Sequence, residues 1–124
     1  MRLSVAPVLL LATLAVGQSP FVGMWQTSTN RVVDKPATTV VIVELEKRLG
    51  GAVVLVNSDG NEVKLPILNL KITENVMEFE TRSTGLCFWS LRLQSKGNRG
   101  LLHRGCPGVT MLDEPVEKRP QTQQ

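Results

Sequence analysis

Leu86-Cys87-Phe88-Trp89-Ser90-Leu91-Arg92-Leu93-Gln94 and Arg99-Gly100-Leu101-Leu102-His103-Arg104-Gly105-Cys106 flank the polar stretch Ser95-Lys96-Gly97-Asn98. Two strand-like runs around a turn containing Gly and Asn read as one β-hairpin. If the turn centres on Lys96-Gly97, Cys87 and Cys106 are equidistant from it and meet at the open end. Cross-strand neighbours hold their Cβ atoms about 4.5–5.5 Å apart, close to disulfide geometry after slight adjustment. These are the only two cysteines, so a disulfide in an oxidising compartment is expected, with two buried free thiols as the alternative. The same register sets Ser90 opposite His103, the only histidine. That pair shares a face with Arg92, Gln94 and Arg99, while Trp89, Leu91, Leu93 and Leu102 take the other. An outward Ser–His pair with no third member and no oxyanion hole is not expected to catalyse anything.

Outward from this hairpin, strand signals recur almost to the N-terminus. Val22–Val32 reads as a first strand, and the β-branched run Thr38–Leu45 as a second. Lys47–Gly51 reads as a turn and Ala52–Val56 as a third strand. Asn57-Ser58-Asp59-Gly60-Asn61 is a hairpin signal, its Asp-Gly suited to a type I′ turn. Glu62–Ile67 and Leu68–Thr73 follow as the fourth and fifth strands. Pro66 cannot donate to a ladder and so marks an edge, a bulge or a corner. Val76–Arg82 is the sixth, and the hairpin supplies the last two. Short strands adjacent in sequence at nearly every step predict an all-β fold, an antiparallel up-and-down barrel of about eight strands, over a two-sheet sandwich. The inward positions expected are Val41, Val43, Leu45, Val54, Val63, Leu65, Ile67, Leu70, Ile72, Met77, Phe79, Trp89, Leu91 and Leu93.

The ends differ in character. Arg2 followed by the apolar run Leu3–Val16 and the small residues Ala15-Val16-Gly17 reads as an export leader cleaved after Gly17. The run is short of the roughly 20 apolar residues a membrane helix needs. An uncleaved anchor or a buried helix is the other reading. Residues 18–112 then form one barrel domain, and a secreted or periplasmic location is expected. Residues 113–124, with Pro115, Pro120 and Gln-Thr-Gln-Gln, are predicted to be a disordered tail, with a short strand at Val109–Leu112 left open.

The composition excludes several classes. The net charge of +3 comes from basic residues interleaved with acids, without a basic stripe, so no nucleic-acid partner is expected. One histidine, two cysteines expected to pair and dispersed carboxylates give no metal-ligand cluster, and no cofactor is expected. Glu44 with Glu46, and Glu78 with Glu80, lie about 7 Å apart on strand faces, a spacing that glycosidases use but that also marks a solvated strand face, the reading preferred here. Gly50-Gly51 leads into no helix and is not a phosphate cradle. No Asn-x-Ser/Thr sequon occurs.

Phe21-Val22-Gly23-Met24-Trp25 opens the first strand, and Gly23-Met24-Trp25 resembles the Gly-x-Trp motif of the calycins. The match is best with small bacterial lipocalin-like domains, over residues 21–106. The resemblance implies a barrel whose Trp25 closes one end, with Gly23 beside it and a basic residue of the last strand across the ring, Arg104 by position with Arg99 as the second candidate. Guanidinium over indole contributes about 0.5–2 kcal/mol. The chain departs from the fatty-acid-binding relatives in lacking their helix pair between the first strands, and it has no Tyr at all. Trp25 as an ordinary large core residue is the alternative.

A barrel of this size holds either side chains or one small ligand. The reading adopted is a non-catalytic exported binding module, monomeric, taking a small apolar ligand in a shallow pocket near the end opposite Trp25. Val43, Leu65, Met77, Phe79 and Leu91 are its expected lining. The alternative is an envelope-associated or secreted protein-interaction domain with a side-chain-filled barrel, its partner another protein.

Overall fold

The computed structural model describes residues 19–95, 97–108 and 112–120. The expected leader, residues 1–17, and residues 121–124 lie outside them. The strands are β1 (Gly23–Gln26), β2 (Thr29–Asn30), β3 (Lys35–Pro36), β4 (Thr38–Leu45), β5 (Arg48–Val56), β6 (Glu62–Pro66), β7 (Leu68–Thr73), β8 (Val76–Arg82), β9 (Leu86–Leu93), β10 (Arg99–Gly105) and β11 (Leu112–Arg119). Nine of them make one antiparallel sheet in the order β6-β5-β4-β1-β11-β10-β9-β8-β7, and β2 and β3 form a separate small hairpin. No helix among the described residues is long and apolar enough to cross a membrane.

The sheet rolls into a nearly closed up-and-down barrel, and Pro66 shows how. Every step from β6 to β7 through the sheet is antiparallel. An even number of reversals leaves β6 and β7 running the same way, joined only by Ile67. They are one bent strand whose first half pairs with β5 and whose second half pairs with β8. The Ile67 N–H still reaches the Gly51 carbonyl at 3.0 Å. Pro66 therefore marks a corner, where a missing amide costs least. Counting the bent strand once gives a ring of eight.

The C-terminal hairpin has the register expected of it. Gly100 pairs with Leu93, His103 with Ser90 and Gly105 with Phe88, and Cys87 is bonded to Cys106. On the other side of the barrel the facing differs from expectation. Trp25 is fully buried and pairs with Val40, which pairs with Val53. Val40, Ile42 and Val53 therefore point inward, and Val41 and Val54 do not. Val43 is 39% and Leu45 72% exposed. A one-residue choice of facing inverts a whole strand, and the large indole makes that choice here.

Three further expectations are corrected. Glu46 and Lys47 alone make the β4–β5 turn, both with positive φ, as in a type I′ turn. Gly50-Gly51 therefore lies inside β5, where a side chain on Gly51 would collide with the Val41 carbonyl. In the β5–β6 loop Gly60 takes the positive φ and Asp59 does not, so the turn is not type I′; the Asn57 side chain organises it by accepting the Asp59 and Asn61 N–H groups. Most consequentially, the segment read as a tail is β11. It pairs with β1 through Glu117–Arg119 and with β10 through Leu112–Glu117, and buries Val116. Pro115 is tolerated because only β10 lies beside it; β1 reaches no further than Glu117.

Candidate functional site

One end of the barrel is closed by Trp25. Its Nε1 donates to the Phe21 carbonyl at 3.0 Å, and Phe21 is buried beside it. Lys118 Nζ lies 5.3 Å from the Trp25 ring centroid and donates to the Pro20 carbonyl at 3.0 Å. A Cβ on Gly23 would lie 2.9 Å from Lys118 Cγ. Gly23 thus has a mechanical reason: it leaves room for the lysine stem to cross the indole. The cation over Trp25 is Lys118, from the strand that had been read as a tail. Arg104 is elsewhere, 5.1 Å above Trp89.

The opposite end is open. Ala37 between β3 and β4, Asn57 of the β5–β6 loop and Ser83 of the β8–β9 turn border a cavity of about 540 Å³. Thr38, Leu55 and Leu65 line its apolar side from inward positions on β4, β5 and β6, and Val63 stands at the rim, 47% exposed. Arg104 and Glu114 line the other side from β10 and β11. Below Arg104, Trp89 stacks on Phe79 with centroids 5.8 Å apart, and Trp89 Nε1 donates to Thr81 Oγ1 at 2.9 Å. This layered floor fixes the guanidinium from beneath, while its Nε contacts Cys106 Sγ at 3.5 Å. Among the described residues no carboxylate forms an ion pair with Arg104. The mouth is an apolar cup with one positive and one negative group at its wall.

Of the five residues expected to line a ligand pocket, Leu65 does. Met77, Phe79 and Leu91 are buried in the packed core beneath the mouth, at 0–2% exposure. Val43 lies on the outside. Thr38, Leu55 and Glu114 were not foreseen, the first two because β4 and β5 carry apolar residues on both faces, the third because it lies in β11.

Outside the wall, Ser90, His103 and Asp113 form one cross-strand row over β9, β10 and β11. The His103 Nδ1 is hydrogen-bonded to the Asp113 carboxylate, which supplies the third member the sequence reading lacked. No hydrogen bond joins Ser90 to His103 among the described residues, and the neighbouring strand amides are committed to the ladder. The row is an aligned set of polar groups without an oxyanion hole.

No protein-family model matches this chain, and neither does any curated protein or solved structure.

Proposed function

We propose that this protein is a non-catalytic, exported, monomeric binding module that takes a small amphipathic ligand in the mouth of its barrel. The apolar body would lie against Thr38, Leu55 and Leu65, with the polar head at Arg104. The observation that carries this reading is the pairing of an inward apolar wall with a guanidinium that has no carboxylate partner among the described residues. Cavities of a few hundred Å³ with a few convergent polar groups are the usual form of small-ligand sites. A calycin-type kinship belongs to the proposal, supported by the up-and-down order and by Gly23-x-Trp25. Export is supported by the leader pattern and is compatible with the disulfide.

Titration with 11-(dansylamino)undecanoate, read by energy transfer from tryptophan, tests this. Saturable binding in the micromolar range is expected. Arg104→Gln should weaken it about ten-fold, the loss of one charge-assisted contact. No saturable signal, or equal affinity in the variant, would remove the proposal.

The second reading, a protein-interaction domain with a filled barrel, is favoured by the packed core below the mouth and by the exposed Val43 and Leu45 outside it. It predicts no probe binding, and a partner whose affinity falls with Leu45→Lys.

A further inference from the structure

On the outer wall, over β7 to β10, lies a groove of about 490 Å³, separate from the mouth. Phe88 stands in it, 55% exposed and the one exposed aromatic side chain among the described residues. Its cross-strand neighbours are Glu80 on β8 and Gly105 on β10. Gly105 is itself buried and sets no side chain against the ring. One row further along the same face, about 7 Å away, run Lys71, Glu78, Ser90 and His103 in register.

These polar groups are held in defined states. Asn69 occupies a bulge in β7 with φ +53, a conformation that Asn tolerates better than most residues. Its Nδ2 donates to Glu80 Oε1 at 2.8 Å, which leaves the second carboxylate oxygen free to accept. The Asp113 carboxylate accepts from His103 Nδ1, which orients the ring and leaves Nε2 as its second polar atom. Ser90 both donates and accepts, and the Lys71 ammonium donates. Donors and acceptors are thus mixed beside an open aromatic face. A simple cation would find Lys71 in its way, and an anion would meet Glu78 and Glu80. Among the described residues there is no cluster fit for a metal. A ligand that satisfies both kinds of group, and offers an apolar face as well, carries several hydroxyls on a six-membered ring.

We propose that this outer groove binds a pyranose ring of a neutral glycan, with the C–H face of the sugar on Phe88. Its hydroxyls are shared among Glu80, Ser90 and His103. The Ser90-His103-Asp113 row acts here as an oriented hydrogen-bonding arm, the aspartate holding the imidazole in place.

Saturation-transfer NMR and calorimetry with maltose, cellobiose and N,N′-diacetylchitobiose test the proposal on the full chain. At least one should bind, with a dissociation constant at or below the millimolar range, and Phe88→Ala should weaken it about ten-fold or more. Phe88→Trp, which keeps a stacking face, should retain binding. Phe88 lies outside the core, so far-ultraviolet circular dichroism and Tm should be nearly unchanged in both variants. Arg104→Gln in the mouth should leave sugar binding intact, which separates failure of this site from failure of the barrel pocket. Absence of binding by all three sugars, unchanged affinity in Phe88→Ala, or preferential binding of choline would each overturn it.

Discussion

Replacing Gly23 with alanine sets a methyl group against the stem of Lys118. An ideal Cβ there lies 2.9 Å from Lys118 Cγ, well inside the roughly 3.5–4.0 Å of comfortable carbon contact. The backbone adds its own penalty, since φ at Gly23 is +145, a region that residues with a Cβ rarely occupy. Lys118 must swing away. Doing so forfeits its position over Trp25, about 0.5–2 kcal/mol, and its hydrogen bond to the Pro20 carbonyl, about 1 kcal/mol net. Backbone strain adds about 1 kcal/mol more. The expected cost is about 3 kcal/mol, or a fall in Tm of about 12–15 °C for a domain of this size. Urea and thermal unfolding, followed by tryptophan fluorescence, would measure it. The sharper form is a double-mutant cycle. Lys118→Ala alone should cost about 2 kcal/mol, and in that background Gly23→Ala should cost only the backbone strain. A coupling of about 2 kcal/mol is therefore expected. Strictly additive costs, or a Gly23→Ala variant as stable as the parent, would refute the account of the closed end.

Two other perturbations reach different parts of the fold. Ending the chain before Asp113 should abolish cooperative unfolding: it removes the β11 partner of both β1 and β10 together with buried Val116. The loss, of the order of 5–10 kcal/mol, rivals the whole stability of a small domain; an intact melt within a few degrees of the parent would show β11 to be dispensable. Cys87→Ser with Cys106→Ser should cost about 3 kcal/mol, from the chain entropy of a closure with sequence separation 19, read as a lower urea midpoint with a somewhat steeper slope as the unfolded chain expands.

How much was legible in the sequence varied with what fixed each element. The hairpin from Leu86 to Gly105 was readable because two cysteines and one polar turn constrain it from both ends. The facing of β4 was not, because Val40, Val41, Ile42 and Val43 are apolar on both sides. Only the partner strand decides which side meets the core, and Trp25 is that partner. β11 was hidden by Pro115 and by charges at Glu114, Glu117 and Lys118. Its apolar content is slight because two of its inward positions carry Glu114 at the mouth and Lys118 over the indole. Arg104 is readable as a stacking cation, but the ring it covers is Trp89 and not Trp25. The hairpin register that aligned the cysteines also places Arg104 opposite Trp89, and that signal was available. The third member of the Ser90-His103 row could not be found while Asp113 was assigned to a tail.

The corner at Pro66 and Ile67 has a consequence for how this molecule meets others. Because one bent strand serves both β5 and β8, the main sheet presents no long row of idle amides. Its two unmatched flanks are five and six residues long and lie on the ring itself. Among the described residues, such short flanks make a poor template for fibril growth or for recruiting an extended peptide by backbone pairing. Over the described residues, the barrel meets its surroundings mainly with side chains.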